Sequence, residues 1–70
     1  MDHDALKNRF TYHAPNAEQA KKYETLRSAA LAFAELINEL APESAEKTKA
    51  VGYIDQAVMH ANAAIARYTN

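Results

Sequence analysis

The feature that most constrains this chain is one break, Ala41-Pro42-Glu43-Ser44, set between two long stretches with the same apolar rhythm. From Asn16 to Ala41 there is no Gly or Pro, and Ala, Leu, Glu, Lys and Gln dominate, residues that lose little on entering a helix. Tyr23, Leu26, Ala30, Phe33, Ile37 and Leu40 step alternately by three and four, which predicts an apolar seam along one helical face. Beyond the break, Val51, Ile54, Val58, Ala61, Ile65 and Tyr68 repeat the step. Pro42 disfavours helical geometry at Ala41 and lacks a backbone donor, so the first helix ends there. A connection this short folds the two seams together as an antiparallel hairpin.

The helix ends carry matching signals. Asn16, directly after Pro15, is placed to cap the first long helix with Glu18 in its positive first turn. Glu43 or Ser44 caps the second, with Glu46 in its first turn. Upstream, Asp4 to Phe10 suits a short helix of about two turns, started near Asp2 or Asp4, with Leu6 and Phe10 four apart on one face. The expected fold is all-α: one helical domain over residues 1–70, with a short helix and ligand-facing loop at 1–15 and long helices at 16–41 and 43–69. Gly52, the only glycine, falls inside the second long helix, where it costs about 1 kcal/mol relative to Ala. That cost predicts a close approach of a neighbouring backbone or ligand.

A 70-residue chain buries only about 60% of the surface its unfolded form exposes, so one core is marginal. Cysteine is absent, which removes disulfides and thiolate metal sites and fits a reducing cytoplasm. Apolar and small residues also lie off the seams: Ala29, Leu31, Ala32, Ala34 and Leu36 on the first helix, and Ala50, Ala57, Met59, Ala63, Ala64 and Ala66 on the second. Two helices have one mutual face. The remainder predicts a homo-oligomer, most simply a dimeric four-helix arrangement that assembles further, against the plainer reading of Ala as a helix former on exposed faces. A net charge of -1 argues against DNA or an anionic membrane as partner but leaves room for a small anionic ligand. No apolar run approaches the roughly 18 residues needed to span a bilayer.

Chemistry finds little support. His3, His13 and His60 lack ligand partners at the spacing of a zinc or di-iron helical site, and His60 reads as a surface or interface imidazole. Ser28, Ser44 and the threonines have no recognisable base and orienting carboxylate, and one Gly excludes a phosphate-cradling loop. The sequence therefore predicts neither an enzyme nor a resident metal or cofactor.

The block Asn8-Arg9-Phe10-Thr11-Tyr12-His13-Ala14-Pro15 is different: aromatic, cationic and amide side chains crowd a segment outside both long helices. An antiparallel hairpin returns Arg67 and Asn70 beside the start of the first long helix, so Tyr12, His13, Arg27 and Arg67 are expected to converge at one end. An aromatic ring with guanidinium groups can stack on a base and hold a phosphate. The competing reading has Phe10 and Tyr12 plugging the open bundle end and Arg27 paired with a carboxylate. Phe10 suits the plug; Tyr12 suits either role.

Three motifs taken in order, Asn8-Arg9-Phe10-x-Tyr12-His13-x-Pro15, Tyr23-x-x-x-Arg27 and Ala57-Val58-Met59-x-Ala61-Asn62-Ala63-Ala64-Ile65-Ala66-Arg67, resemble the phage and prophage anti-CBASS (Acb) family of cyclic-nucleotide sponges. The resemblance covers nearly the whole chain. It implies a helical protein of the host bacterial cytoplasm, a hexamer built as a trimer of dimers, that sequesters cyclic dinucleotides such as 3',3'-cyclic GMP-AMP and starves a CBASS effector. It also implies a stacking role for Tyr12 and a phosphate contact for Arg27, where some relatives carry Lys; Arg keeps the charge and adds a bidentate fork. Asn8, His13, Lys22 and Arg67 are the expected supporting ligand-binding residues. Cyclic trinucleotides would take a separate intersubunit site that these residues do not assign. His60, where the family commonly has Trp, and Gly52-Tyr53, where a Thr-Lys pair is common, depart from the pattern on the second helix. The alternative function is a structural or protein-interaction bundle that docks a partner helix, and a third, a nuclease degrading the messenger, lacks a metal site or base.

Overall fold

The computed structural model describes residues 1–69, and among them all regular structure is helical: α1 (His3–Arg9), α2 (Ala17–Leu40) and α3 (Ala45–Tyr68). Each helix starts on a side chain that takes an orphan backbone donor. Asp2 Oδ1 accepts from the Ala5 N–H at 2.8 Å, and Ser44 Oγ accepts from the Lys47 N–H at 3.1 Å. At α2 the arrangement is reciprocal: Asn16 Oδ1 accepts from the Gln19 N–H at 2.8 Å while Gln19 Oε1 accepts from the Asn16 N–H at 3.0 Å. Asp2 and Ser44 thus decide between the two capping candidates at their helices.

The turn between α2 and α3 is closed from both sides. Ala41 still donates its N–H to the Ile37 carbonyl at 2.9 Å before Pro42 ends the ladder. The last carbonyls of α2 then face the first turn of α3, and Lys47 Nζ donates to the Asn38 carbonyl at 2.9 Å while pairing with Glu43. A cation at the negative end of a helix is favourably placed, and this one has a largely buried stem.

α2 and α3 pack antiparallel, as the matched seams predict, but the buried line differs from the expected one. Tyr23, Leu26, Ala30, Ala34, Ile37 and Ala41 are half-buried on α2 and its cap, facing Lys47, Ala50, Ile54, Val58, Ala61 and Ile65. On both sides the steps run three, four, four, so positions recur every eleven residues: 23 and 34, 26 and 37, 30 and 41; 47 and 58, 50 and 61, 54 and 65. A strict seven-residue seam drifts by about 20° per heptad across a straight helix, whereas an eleven-residue repeat drifts by about 20° in the opposite sense over a longer span and so follows the axis more closely. Phe33 and Leu40 are therefore displaced outward, 55% and 74% exposed, and Ala34 takes the contact. Val51 and Tyr68 leave the seam of α3 in the same way.

The resulting body measures 45 × 29 × 12 Å. Twelve Å is the width of one helix with its side chains, so the hairpin is a slab one helix thick. Its radius of gyration is 15.2 Å. A compact chain of this length would have one of about 11 Å. Among the described residues no apolar side chain is buried, and the single buried residue is Gln19, 6% exposed.

Replacing Lys47 by Met keeps the stem but removes the donor to the Asn38 carbonyl. Lys47→Met is expected to cost about 1 kcal/mol, from the lost charge-assisted bond; urea unfolding followed by circular dichroism would measure it as a lowered midpoint at unchanged slope.

Candidate functional site

Residues 10–15 form an arm between α1 and the cap of α2, and the arm stands with both feet on the last turn of α3. At one foot, Asn8 Nδ2 donates to the Arg67 carbonyl at 3.2 Å and Arg67 Nη2 donates to the Arg9 carbonyl at 3.1 Å. His13 folds back and its Nε2 donates to the Asn8 carbonyl at 2.8 Å, which requires the proton on Nε2. Thr11 Oγ1 donates to the Lys7 carbonyl at 2.6 Å. At the other foot, Gln19 Nε2 reaches the Ile65 carbonyl at 3.3 Å, the Thr69 carbonyl at 3.0 Å and Thr69 Oγ1 at 2.9 Å. The Arg67 carbonyl lies in the last turn of α3, where no intrahelical donor follows, and Asn8 supplies one; the Ile65 carbonyl is already taken by the N–H and hydroxyl of the cap residue Thr69, and the Gln19 amide joins them there.

The structure divides the expected site residues. His13 and Arg67 do meet at the α3 end, where the antiparallel hairpin was expected to bring them, Asn8 joins them there, and the polar groups of all three are engaged with the chain's own carbonyls. Asn70 lies outside the described residues. Tyr12 projects freely, 84% exposed, with its ring face open to solvent. Phe10 does not plug the bundle end as expected; it is 85% exposed. Its backbone N–H closes α1 onto the Leu6 and Lys7 carbonyls, which turns the residue out of the helix, and the end it was to seal is occupied by the amide of Gln19.

Arg27 does not join that end. Ten residues into α2, it lies about 15 Å along the axis from the start of the helix. There it lines a shallow groove of about 340 Å³ with Leu31, Ala34, Val51, Gly52 and Asp55. It does not pair with a carboxylate either: among the described residues the ion pair within bonding distance is Lys47 with Glu43. Lys22, five residues earlier and so about 140° around the helix, lines a different groove beside Lys21, Thr25 and Ile65. The opposite side of the slab from Arg27 carries Ala29, Phe33, Tyr53 and Ala57 around a third concavity. Gly52 sits open: a Cβ built on it meets nothing within 4 Å. The close approach that its cost predicts is therefore not made within one chain.

Two features escaped the sequence reading. Gln19 follows Asn16 by three, the spacing of a capping box, and that pairing is a visible signal in the sequence. Asn62, whose Oδ1 is buried without a hydrogen-bond partner, gave no comparable sign.

The geometry on hand is that of a small helical protein with an exposed aromatic on a pinned arm and a cation lining a largely apolar groove. The family model described as Acb2/Tad1, hairpin domain, matches residues 1–66, and the chain belongs to that family, the phage anti-CBASS family of Acb2. The family consists of sponge-type binding proteins and points to a cyclic-nucleotide-binding role. No curated protein and no solved structure matches the chain.

Because both aromatic side chains of the arm stand in solvent, their loss removes no packing. Phe10→Ala and Tyr12→Ala are expected to leave the unfolding free energy within about 0.5 kcal/mol of the parent, checked by thermal melts run at several protein concentrations.

Proposed function

We propose that this chain is a phage or prophage anti-CBASS sponge that acts in the host bacterial cytoplasm, binding cyclic dinucleotides such as 3',3'-cyclic GMP-AMP and withholding them from immune effectors. The match to the family over residues 1–66 carries this reading. The geometry supports it. Tyr12 offers an unobstructed ring for stacking on a base, and Arg27 offers an unpaired guanidinium for a phosphate above a floor of alanines and Gly52. Lys22 adds a second cation on the first turns of α2, in a groove with Lys21 and Thr25, while Asn8, His13 and Arg67 serve the ligand chiefly by holding the arm.

In one chain Tyr12 and Arg27 belong to different parts of the slab, so a ligand that touches both is shared between copies. A slab without an apolar interior, with Leu31 and Val51 on one side and Phe33 and Tyr53 on the other, is what a subunit of an assembly looks like when viewed alone. The proposed assembly is a hexamer, a trimer of dimers, and cyclic trinucleotides take a separate intersubunit site. Capture needs no chemistry, because an effector starved of messenger stays off. A second reading, a protein-interaction module, draws on the same exposed Phe33, Leu40 and Tyr53 as a seat for a partner helix.

Titration calorimetry with 3',3'-cyclic GMP-AMP, followed by heat denaturation and chromatography of the released nucleotide, separates these readings. A sponge binds and returns the nucleotide intact; cleaved products would mean a nuclease, and no binding would leave the interaction module. Tyr12→Ala is expected to weaken binding by about tenfold or more, the worth of one base stack, and Arg27→Ala by a similar factor through the lost phosphate contact. Mass in solution near six times that of one chain would support the trimer of dimers.

A further inference from the structure

We infer that Gln19 is the positioning residue of the ligand site: its buried amide clasps the last turn of α3 and so holds the Tyr12 arm in the conformation that receives a ligand. The inference rests on the sponge reading for its ligand, though the clasp is argued from the fold alone.

Gln19 is the one buried residue in a slab that buries no apolar side chain. Its amide is fully used: Oε1 accepts from the Asn16 N–H, and Nε2 is shared among the Ile65 carbonyl, the Thr69 carbonyl and Thr69 Oγ1. An apolar residue of equal size could fill the space but could not donate to the Thr69 carbonyl and hydroxyl, which join Gln19 to the cap that itself closes on the Ile65 carbonyl. The clasp also has a defined position along the chain. Residues 10–15 are tied upstream by Asn8 and Arg67, downstream by Asn16 and Gln19, and both ties end on the same turn of α3. Releasing the Gln19 donors leaves the downstream foot held only through the Asn16 cap of α2, with no direct bond to α3.

The rest of the hairpin does not depend on this tie. Its turn is closed by Pro42, Ser44 and Lys47, and its seam runs from Tyr23 to Ala41. Losing the Gln19 donors is therefore expected to free the arm while the helices stay paired. A binding-competent conformation populated only part of the time weakens apparent affinity by that fraction. Tyr12, although it makes no contact with Gln19, would bear the loss.

The experiment is a double-mutant cycle in the full chain. Gln19→Glu keeps the shape and the acceptor for the Asn16 N–H but deletes the donors to Ile65 and Thr69. It is expected to weaken binding of 3',3'-cyclic GMP-AMP by about tenfold at unchanged stoichiometry. In a Tyr12→Ala background the same change should weaken it by less than about twofold, because the arm no longer contributes. Backbone order parameters from nuclear magnetic resonance in the ligand-free protein should fall for residues 10–15 and stay high in α2 and α3. Equal losses in both backgrounds, or unchanged binding with an unchanged arm, would overturn the proposal. Should Gln19→Glu fail to fold, Thr69→Ala removes only the hydroxyl partner at the helix cap and carries the same cycle with a smaller factor. If the parent binds no cyclic nucleotide, the sponge reading falls, and the order parameters alone decide the clasp: a rigid arm in the variant overturns it.

Discussion

Two helices have only one mutual face, and everything else about this molecule follows from how little that face can bury. The seam between α2 and α3 is lined by as many alanines as larger aliphatic residues, the latter being Leu26, Ile37, Ile54, Val58 and Ile65, and none of them is fully buried. Small residues let the helices come close, but closeness at one face leaves two broad faces wet. The slab thickness of 12 Å makes the point geometrically: there is no interior layer for a core to occupy. Stability that a globular domain of this size would draw from its core has to come from elsewhere.

Polar interactions at the two ends supply the specificity that the seam lacks. At the turn, Lys47 binds the carbonyl end of α2; at the open end, Gln19 and Asn8 bind the carbonyl end of α3. The two solutions are alike in principle, since a helix C-terminus presents unpaired acceptors and partial negative charge, and a side-chain donor meets both. They differ in what they hold. The first fixes the angle and length of the hairpin, whereas the second fixes a segment that lies outside it, and that segment carries Tyr12. The same hydrogen bonds that close the fold thus display Tyr12, a side chain that packs on little of its own chain.

Much of the fold was legible in the sequence because it rests on local signals. Pro42 breaks the helix where its chemistry requires, and Asp2, Asn16 and Ser44 cap helices as short polar side chains do. The seam was less legible. Phe33 and Leu40 fit a three-four alternation, and only the choice between a seven- and an eleven-residue repeat, set by packing two straight helices, puts Ala34 inside and turns them out. For the site, chain direction brought His13 and Arg67 to the end of α3, since antiparallel pairing determines which ends meet, whereas the bond of Asn8 to the Arg67 carbonyl had no signal in the sequence. Chain direction misplaced Arg27, because ten residues of helix carry a side chain about 15 Å away however interactive it is. Gln19 was legible in principle from its spacing to Asn16, but that spacing announces a cap and says nothing of a bond to a residue fifty positions away.

The separation of Tyr12 from Arg27 bears on how such a protein could work as a trap. If one copy supplies the stacking ring and another the phosphate contact, neither half-site holds the ligand well alone, and affinity becomes a property of the assembly. Ligand bound across copies then stabilises the assembly by mass action, since it binds only where the copies are joined. The unfilled space at Gly52 suits the same proposal: a glycine that costs its own helix about 1 kcal/mol has no neighbour within 4 Å of a Cβ built on it, which leaves room for an approach from another copy. In the proposed assembly the exposed apolar faces and the pinned arm would be two parts of one device, the faces joining the copies and the arm reaching toward the ligand between them.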